Sequence, residues 1–476
     1  MKTSRRRATD RARSASGRAL AIEVLRRVDA EDAFADLALS AELTRSCLDA
    51  RERAFGTDLV YGTLRWRGRI DHLLEARTPR GIAKLPALAR AALRVGAYQI
   101  LFSRSVPVHA AVDETVNAIR AQGYEKLTGF ANALLRRLAR ERDELVYPDL
   151  KTDPLGYAAA FHAHPAWIVE RLFAELGEEE ALRLLEADNL LPPLALRVCR
   201  ARGTREALIE RLVQAGHAAS LGRYAPGAVV LDARAPVETL PGFAEGAFTV
   251  QDEASQLVAL LLGAQPGERV LDLCAAPGGK TAQLAEQVGA GGEVVALDLN
   301  PSRLGLVEKL SARLGLSNVR TVAGDACRPP DRVAAGGFDR VLVDAPCTGL
   351  GVLRRNPDLR WRAKPDASAR LAGLQRQMLV SALRLVRPGG VVVYSVCTFT
   401  REETTDVLAD LLAGREDVVI EDPVEWLGVR CAGLVSREAC GPVFRAWPHR
   451  HGTDAFFAAR IVMRPFGGTD EGGRGR

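Results

Sequence analysis

The chain of 476 residues is too long for one ordinary domain, and its 47% apolar and 26% charged residues are typical of a soluble globular protein. No run reaches the ~18 apolar residues that span a bilayer, so we expect no membrane partner. The eight cysteines form no C-x-x-C pair, which argues against a zinc site, and no metal is expected. The net charge of +6 fits a polyanionic partner, although a GC-rich genome would favour arginine codons and give the same bias.

The first 18 residues are polar and rich in Arg and Ser. They lack the apolar centre of a secretory signal, and we expect a cytoplasmic protein. Their composition is also compatible with an organellar transit peptide. We favour a disordered basic arm over residues 1–18 that contacts RNA phosphates.

Residues 19–145 carry apolar side chains at helical spacing and show no strand-like alternation. The predicted helices lie within Ala19–Val28, Phe55–Leu64, Pro86–Ser103, His109–Ala121 and Leu127–Ala139. Such a block predicts an all-α bundle that packs through its apolar stripes.

Residues 146–241 mix element types and predict a small α+β linker domain. A helix is expected near Pro165–Val169, a strand over Pro192–Val198 and a second helix over Thr204–Ala215.

Residues 242–465 alternate β-branched runs with helical stretches, which predicts a Rossmann-like, doubly wound parallel sheet. The turn Pro388-Gly389-Gly390 is expected to precede the strand that ends at Cys397. Residues 466–476 are polar and rich in Gly, and we predict a disordered tail. The predicted strands are Val270–Leu273, Val294–Leu297, Val319–Ala323, Val341–Val343 and Val391–Val396.

A glycine-rich turn, from Asp272 to Thr281, follows the first of these strands. Gly278-Gly279 allows the backbone to approach a ligand closely, and ligands of open α/β sheets bind at the carboxyl ends of strands. The turn matches neither G-x-G-x-x-G nor a Walker loop, which disfavours a dinucleotide or ATP. A single strand-end aspartate is more often a helix N-cap, but Asp298, Asp325 and Asp344 end three strands and favour contacts with a nucleoside.

Two cysteines follow two further strands, Cys347 in Asp344–Gly349 and Cys397 in Tyr394–Thr398. A strand-end cysteine is more often a buried hydrophobe, but two in polar contexts beside an acid favour chemistry. A thiolate that adds to C6 of cytosine makes C5 nucleophilic towards a methyl donor, an acid near N3 stabilises the adduct, and a base then removes the C5 proton. Cys397, Asp344 and Cys347 meet these needs, and Lys280 could lower a thiol pKa or orient the carboxylate.

These motifs resemble the bacterial 16S rRNA (cytosine-C5) methyltransferases of the Sun/Fmu type, a group of RNA m5C methyltransferases. The likeness also extends outside the catalytic segment, and the helical block is similar to the antitermination-factor fold that binds RNA. The resembling stretches are Leu271–Thr281, Asp344–Gly349, Arg354–Asp358, Val396–Thr398, Gly129–Arg136 and Val250–Ser255.

The resemblance implies S-adenosyl-L-methionine as cofactor, Cys397 as nucleophile and Cys347 as the thiol that aids product release. In DNA cytosine-C5 methyltransferases the cysteine of the earlier Pro-Cys motif is the nucleophile. RNA enzymes use the later cysteine, so the presence of both indicates an RNA substrate. The implied substrate is cytosine 967 of 16S rRNA, free or in a partly assembled small subunit, and the enzyme is expected to be a monomer. The implied catalytic residues are Cys397, Cys347, Asp344 and Lys280, and the implied cofactor residues are Cys274, Ala275, Ala276, Pro277, Gly278, Gly279, Lys280, Asp298, Asp325 and Asp344.

Two alternatives remain at this point: the same chemistry on tRNA, and a cofactor-binding ribosome assembly factor without catalysis. The chain also departs from the family pattern at Thr348 (usually Ser), at Arg401–Thr404 (usually Pro-Glu-Glu-Asn) and at Ala455 (usually Gly).

An arginine-rich stretch follows Cys347, and we predict that it holds RNA phosphates and stacks on an unpaired base. A solvated basic helix is the other interpretation. The residues are Arg354, Arg355, Arg360, Trp361 and Arg362.

Overall fold

The computed structural model of the protein describes residues 16–231 and 236–465. Most of the predicted basic arm, residues 1–15, and the predicted tail, residues 466–476, lie outside the described residues. The chain divides into two compact units. The helical unit runs to Leu190 and includes the distant segment Leu353–Ala363, whereas the sheet unit comprises Leu191–Val352 and the chain from Lys364. No helix among the described residues is long and apolar enough to cross a membrane.

Six helices share one apolar core in the helical unit, which confirms the predicted all-α block. Leu59, Val95 and Leu135 on three of them are fully buried there, as the helical spacing of apolar residues requires. The helices are α1 (Gly17–Glu31), α2 (Ala35–Arg45), α3 (Ala50–Glu75), α4 (Ala87–Phe102), α5 (Val108–Ala121) and α6 (Thr128–Arg140).

The start of the first helix and the presence of the second differ from the prediction. α1 begins at Gly17, inside the segment assigned to the arm, because the Ser16 hydroxyl accepts the Ala19 N–H and caps the first turn. α2 was not predicted, since it buries only Ala35, Ala38 and Leu39 and therefore has a weak apolar pattern.

The predicted linker segment is divided between the two units. Its helices α7 (Pro154–Phe161), α8 (Ala166–Leu176) and α9 (Glu178–Ala187) belong to the helical unit. The rest forms a four-stranded antiparallel sheet together with one strand beyond the predicted boundary at residue 241. The strand order is β2-β3-β1-β4, with one helix beside the sheet. Its elements are β1 (Leu194–Val198), α10 (Arg205–Gln214), β2 (Ala219–Leu221), β3 (Ala228–Leu231) and β4 (Phe248–Val250).

A larger sheet follows, and its five predicted strands pair in parallel, as expected. Their order is β9-β8-β5-β6-β7, with β7 at one edge of the sheet. Neighbouring residues of one strand enter different apolar clusters, Val270 on one face and Leu271 on the other, so both faces are covered. The strands are β5 (Arg269–Asp272), β6 (Glu293–Asp298), β7 (Val319–Ala323), β8 (Phe338–Asp344) and β9 (Val386–Val396). The main helices are α11 (Glu253–Leu262), α12 (Gly279–Val288), α13 (Pro301–Leu314), α14 (Ala367–Leu385) and α15 (Thr405–Leu412), and short helices occupy Asp331–Ala334, Pro423–Leu427 and Pro448–His451.

The sheet is mixed rather than wholly parallel, which corrects the prediction. Four later strands add to it antiparallel, with β13 against β9 and both β10 and β12 against β13. They are β10 (Val418–Glu421), β11 (Val435–Glu438), β12 (Gly441–Ala446) and β13 (Phe456–Met463). The predicted turn Pro388-Gly389-Gly390 also lies within β9, where the pairing with β8 shifts between Phe338 and Arg340, so these residues form an irregularity of the strand.

The arginine-rich stretch after Cys347 packs inside the helical unit. Arg360 is completely buried, and its guanidinium donates to the carbonyls of Arg65 (3.0 Å) and Asp188 (2.7 Å) and to Oδ1 of Asn189 (2.8 Å). Trp361 donates its Nε1–H to the Leu64 carbonyl at 2.9 Å.

The predicted RNA contact is therefore wrong for Arg354 and Arg360. Arg354 is buried, and Arg362 stacks on Phe34, with 3.7 Å from its guanidinium carbon to the ring centroid, and pairs with Asp32. Arg355, Trp361 and Arg362 are partly exposed. The buried charges of Arg354 and Arg360 contribute to the packing of the helical unit instead of to an RNA surface.

We expect Arg360→Met to destabilise the helical unit by about 2–5 kcal/mol, because the buried carbonyls of Arg65 and Asp188 lose their donor. Urea denaturation followed by circular dichroism measures the change. Arg51→Met is the matched control, since Arg51 is exposed, and should stay within about 0.5 kcal/mol. Equal unfolding midpoints for the two variants would contradict the packing role of Arg360.

Candidate active site

The two thiols predicted from the sequence meet at the carboxyl ends of β8 and β9. These strands pair in parallel with Asp344 opposite Ser395, and the Gly351 N–H donates to the Cys397 carbonyl at 2.9 Å. The Sγ atoms of Cys347 and Cys397 consequently lie 3.4 Å apart, within sulfur hydrogen-bond distance.

The two sulfurs are not equivalent. The hydrogen bond to Cys397, burial and the negative charge of Glu403 together raise the pKa of Cys347 well above its ordinary value. Cys347 therefore holds its proton and can donate it to the Cys397 sulfur.

A carboxylate and an ammonium group lie at the same edge. Asp344 Oδ2 accepts from Lys280 Nζ at 2.7 Å, and Asp344 Oδ1 accepts from the Ser395 hydroxyl at 2.8 Å. The Lys280 ammonium also lies 5.0 Å from the ring centroid of Phe456. Lys280 thus orients the carboxylate, the second of the two roles considered from the sequence.

The glycine-rich turn connects β5 to α12. Gly278 has φ +109, and a Cβ there would lie 3.1 Å from the Val307 Cα, so only glycine fits. The Thr281 hydroxyl donates to Asp272 Oδ2 at 2.7 Å and ties the two ends of the turn together. Burial raises the pKa of Asp272 to about 7, and the pKa of Cys274 also lies well above its ordinary value, chiefly through burial, which keeps that thiol protonated.

The remaining predicted acids lie at the neighbouring strand ends. Asp298, buried at the end of β6, accepts the Ala276 N–H at 3.2 Å and the Asn300 N–H at 2.9 Å, so it is bonded directly to the glycine-rich turn. Asp325 lies two residues beyond β7, is exposed and accepts the Cys327 N–H at 2.9 Å. The structure therefore joins Asp298 to the turn but gives Asp325 no contact with it.

Sequence reasoning missed Glu403, a fully buried carboxylate between the two thiol loops. Its Oε1 accepts the Thr348 N–H at 2.9 Å and the Gln375 side-chain amide at 3.1 Å. Its Oε2 accepts the hydroxyls of Thr348 at 2.6 Å and Thr400 at 2.9 Å. Glu403 thus binds the loop after Cys347 to the loop after Cys397, and the only signal in the sequence was its place in the departing Arg401–Thr404 motif.

The departures from the family pattern preserve this arrangement. Thr348 supplies the hydroxyl that serine would supply, and it also lies 2.9 Å from the Thr398 hydroxyl. Ala455 is buried and donates its N–H to the Gly351 carbonyl at 2.9 Å. At Gly351 a Cβ would lie 2.8 Å from the Cys397 carbonyl oxygen, so the thiol loops pack too closely for a larger residue.

Three family models match the chain. The model described as 16S rRNA methyltransferase RsmB/F covers residues 259–462, the NusB family model covers residues 15–140, and a ferredoxin-like domain of RsmF/B-type methyltransferases covers residues 164–238. These ranges follow the same order as the three predicted domains.

Individual relatives match over almost the whole chain. A protein of Mycobacterium tuberculosis, named as a methyltransferase without a stated substrate, is 41% identical over 96% of this chain and 97% of its own. The ribosomal RNA small subunit methyltransferase B of Pseudomonas syringae is 36% identical over 90% of this chain and 92% of its own. The crystal structure of the protein PH0851 superposes with a TM-score of 0.78 at 26% identity, over 95% of this chain and 98% of that one.

We expect Glu403→Ala to free the loop that carries Cys347. Loss of four hydrogen bonds and of a nearby negative charge should expose this thiol and lower its pKa, so its alkylation by iodoacetamide at pH 8 should become at least about tenfold faster. Mass spectrometry of the modified peptides gives the rates. Glu416→Ala, at an exposed position, is the control. Equal alkylation rates in both variants would argue against the role of Glu403 in holding the loop that carries Cys347.

Proposed function

Since the chain belongs to the RsmB/F family of 16S rRNA methyltransferases, which are enzymes that use S-adenosyl-L-methionine, we propose that it methylates C5 of one cytosine in small-subunit rRNA. The observation that carries the proposal is the 3.4 Å approach of Cys347 and Cys397 beside the ion pair of Asp344 and Lys280. A factor without catalysis would have no use for this arrangement of two thiols, a carboxylate and an ammonium.

The glycine-rich turn fits the cofactor. The backbone around Gly278 has no side chain in the way of a ligand, and the buried Asp298 already accepts one N–H of the turn, which leaves lone pairs for ribose hydroxyls. The cofactor supplies a methyl group on a sulfonium. We assign to its binding Cys274, Ala275, Ala276, Pro277, Gly278, Gly279, Lys280, Asp298, Asp325 and Asp344.

The side chains then divide the chemistry. Cys397 Sγ forms a bond to C6 of the cytosine, while Asp344, oriented by Lys280, shares a proton at N3 and stabilises the adduct. After C5 has taken the methyl group, a base removes the C5 proton, the electron pair restores the C5–C6 double bond, and the bond from Cys397 Sγ breaks. Cys347 Sγ lies 3.4 Å from Cys397 Sγ and assists this last step by donating its S–H to the departing Cys397 sulfur.

The rRNA substrate rests on the Pseudomonas relative, whose name states ribosomal RNA of the small subunit. By the family resemblance we propose cytosine 967 of 16S rRNA, free or partly assembled, as the target and a monomer in the cytoplasm as the enzyme. Methylation of tRNA by the same chemistry is the second candidate. Bisulfite sequencing of rRNA and tRNA from a deletion strain decides between them, because the missing 5-methylcytosine identifies the substrate.

The two thiols should have separable roles. Cys397→Ala should abolish both adduct formation and methyl transfer, whereas Cys347→Ala should form the adduct and release it slowly. A denaturing gel of each variant, incubated with cofactor and rRNA, should show a band of protein joined to RNA for Cys347→Ala alone. A trapped band for Cys397→Ala alone would show that Cys347 is the nucleophile. It would refute the inference that the order of the two cysteine motifs indicates an RNA substrate.

Asp298→Ala should weaken cofactor binding by about tenfold or more, since a buried carboxylate that bonds a ligand contributes about 1.5–3 kcal/mol. Isothermal titration calorimetry with S-adenosyl-L-methionine measures this, with Asp366→Ala at an exposed position as control. An unchanged affinity would remove Asp298 from the cofactor site.

A further inference from the structure

The helical unit contains an open cleft, separate from the residues of the candidate active site. It lies beside the C-terminal end of α4, the connection to α5 and the residues after α6, and its volume is about 770 Å³. Small-molecule sites have volumes of about 300–1,000 Å³, so the cleft has room for a nucleotide. Its lining includes Arg69, Phe102, Arg104, Arg142 and Leu145.

Three arginines give the cleft a positive charge. Arg104 and Arg142 are exposed. Arg142 lies 3.6 Å from the carboxylate of Asp143, which also lines the cleft, whereas Arg104 forms no ion pair with any described residue. Arg69 forms no ion pair with any carboxylate in the part of the chain that the structure describes. The cleft thus keeps a net positive charge, with Arg69 and Arg104 unpaired by any described carboxylate, and such a concave surface favours an anionic ligand.

The Arg69 guanidinium is held in place by aromatic rings. Its Nε–H donates to the Tyr147 hydroxyl at 2.7 Å, and its central carbon lies 4.9 Å from the centroid of the Tyr147 ring and 4.4 Å from that of Phe161. A guanidinium oriented in this way loses little side-chain entropy when it binds a phosphate.

The other wall is apolar. Phe102, Val106 and Leu145 are only partly buried although each packs against the helical core, so their free surface faces the cleft. A planar base can cover such a wall while its phosphate binds the arginines. A base-paired helix cannot do so, because its bases are stacked inside it.

We propose that this cleft binds an unpaired nucleotide of the RNA substrate, with the phosphate on the arginines and the base on the apolar wall. This inference rests on the proposed function for its RNA. The cleft would be an RNA recognition site in the helical unit, in addition to the proposed catalytic residues of the sheet unit. We propose it as an RNA contact in place of the stretch after Cys347.

The test compares two charge-matched double variants of the full chain. Arg104→Glu with Arg142→Glu changes the cleft, whereas Arg51→Glu with Arg80→Glu makes the same change of charge at exposed arginines that do not line it. Binding of a small-subunit rRNA fragment with a single-stranded loop is measured against salt concentration, beside binding of S-adenosyl-L-methionine as a check of folding. A second measurement cross-links wild-type protein to 4-thiouridine-labelled RNA and maps the peptide.

The cleft variant should bind the fragment at least about tenfold more weakly, with a salt slope smaller by about 1–2, while the control stays within about twofold. Cross-links should fall within residues 100–108 or 142–147. The proposal that the cleft binds RNA would be overturned by equal weakening in both variants, by no weakening in either, or by cross-links confined to other residues. Methylation of rRNA by the wild type would still support the proposed function in that case. If the wild type neither bound nor methylated rRNA, both proposals would fall.

Discussion

The parallel pairing of β8 with β9 is the constraint on which the candidate site depends. Because Asp344 lies opposite Ser395, the chain leaves both strands at the same height of the sheet, and the two following loops run side by side. Main-chain hydrogen bonds from Ala345 to Ser395 and from Gly351 to Cys397 continue the ladder beyond the strands. The thiols are therefore placed by backbone geometry, and Glu403 only has to secure loops that already touch.

Much of this could be predicted from the sequence, because the relevant signals are local. Apolar, β-branched runs that end in polar residues mark the parallel strands, and carboxyl ends of such strands share one edge of a sheet. This reasoning predicted one site for Lys280, Asp344, Cys347 and Cys397. The structure pairs Lys280 with Asp344 and Cys347 with Cys397. The need for glycine at position 278 was also predicted from the sequence, and the positive φ and close neighbours of Gly278 leave no room for a Cβ.

The errors concern residues whose environment is made by distant parts of the chain. Arg360 and Trp361 have the composition of an RNA-binding stretch, but their partners at Arg65, Leu64 and Asp188 are separated from them by more than 170 residues. Glu403 escaped notice because a glutamate in a polar loop is ordinarily solvated. The strands β10–β13 follow the last predicted strand without the alternating helices of the parallel segment, so their patterns did not reveal that they extend the sheet antiparallel.

The passage of Leu353–Ala363 through the helical unit has a consequence for protein synthesis. The helices up to Leu190 leave the ribosome early, yet the guanidinium that satisfies the carbonyls of Arg65 and Asp188 arrives only when Arg360 has been translated. Domains generally fold as they emerge, N-terminal part first. Here the six helices can close their own apolar core, but the buried carbonyls of Arg65 and Asp188 lack this donor until then. A premature stop codon in the middle of the message would therefore leave both units incomplete.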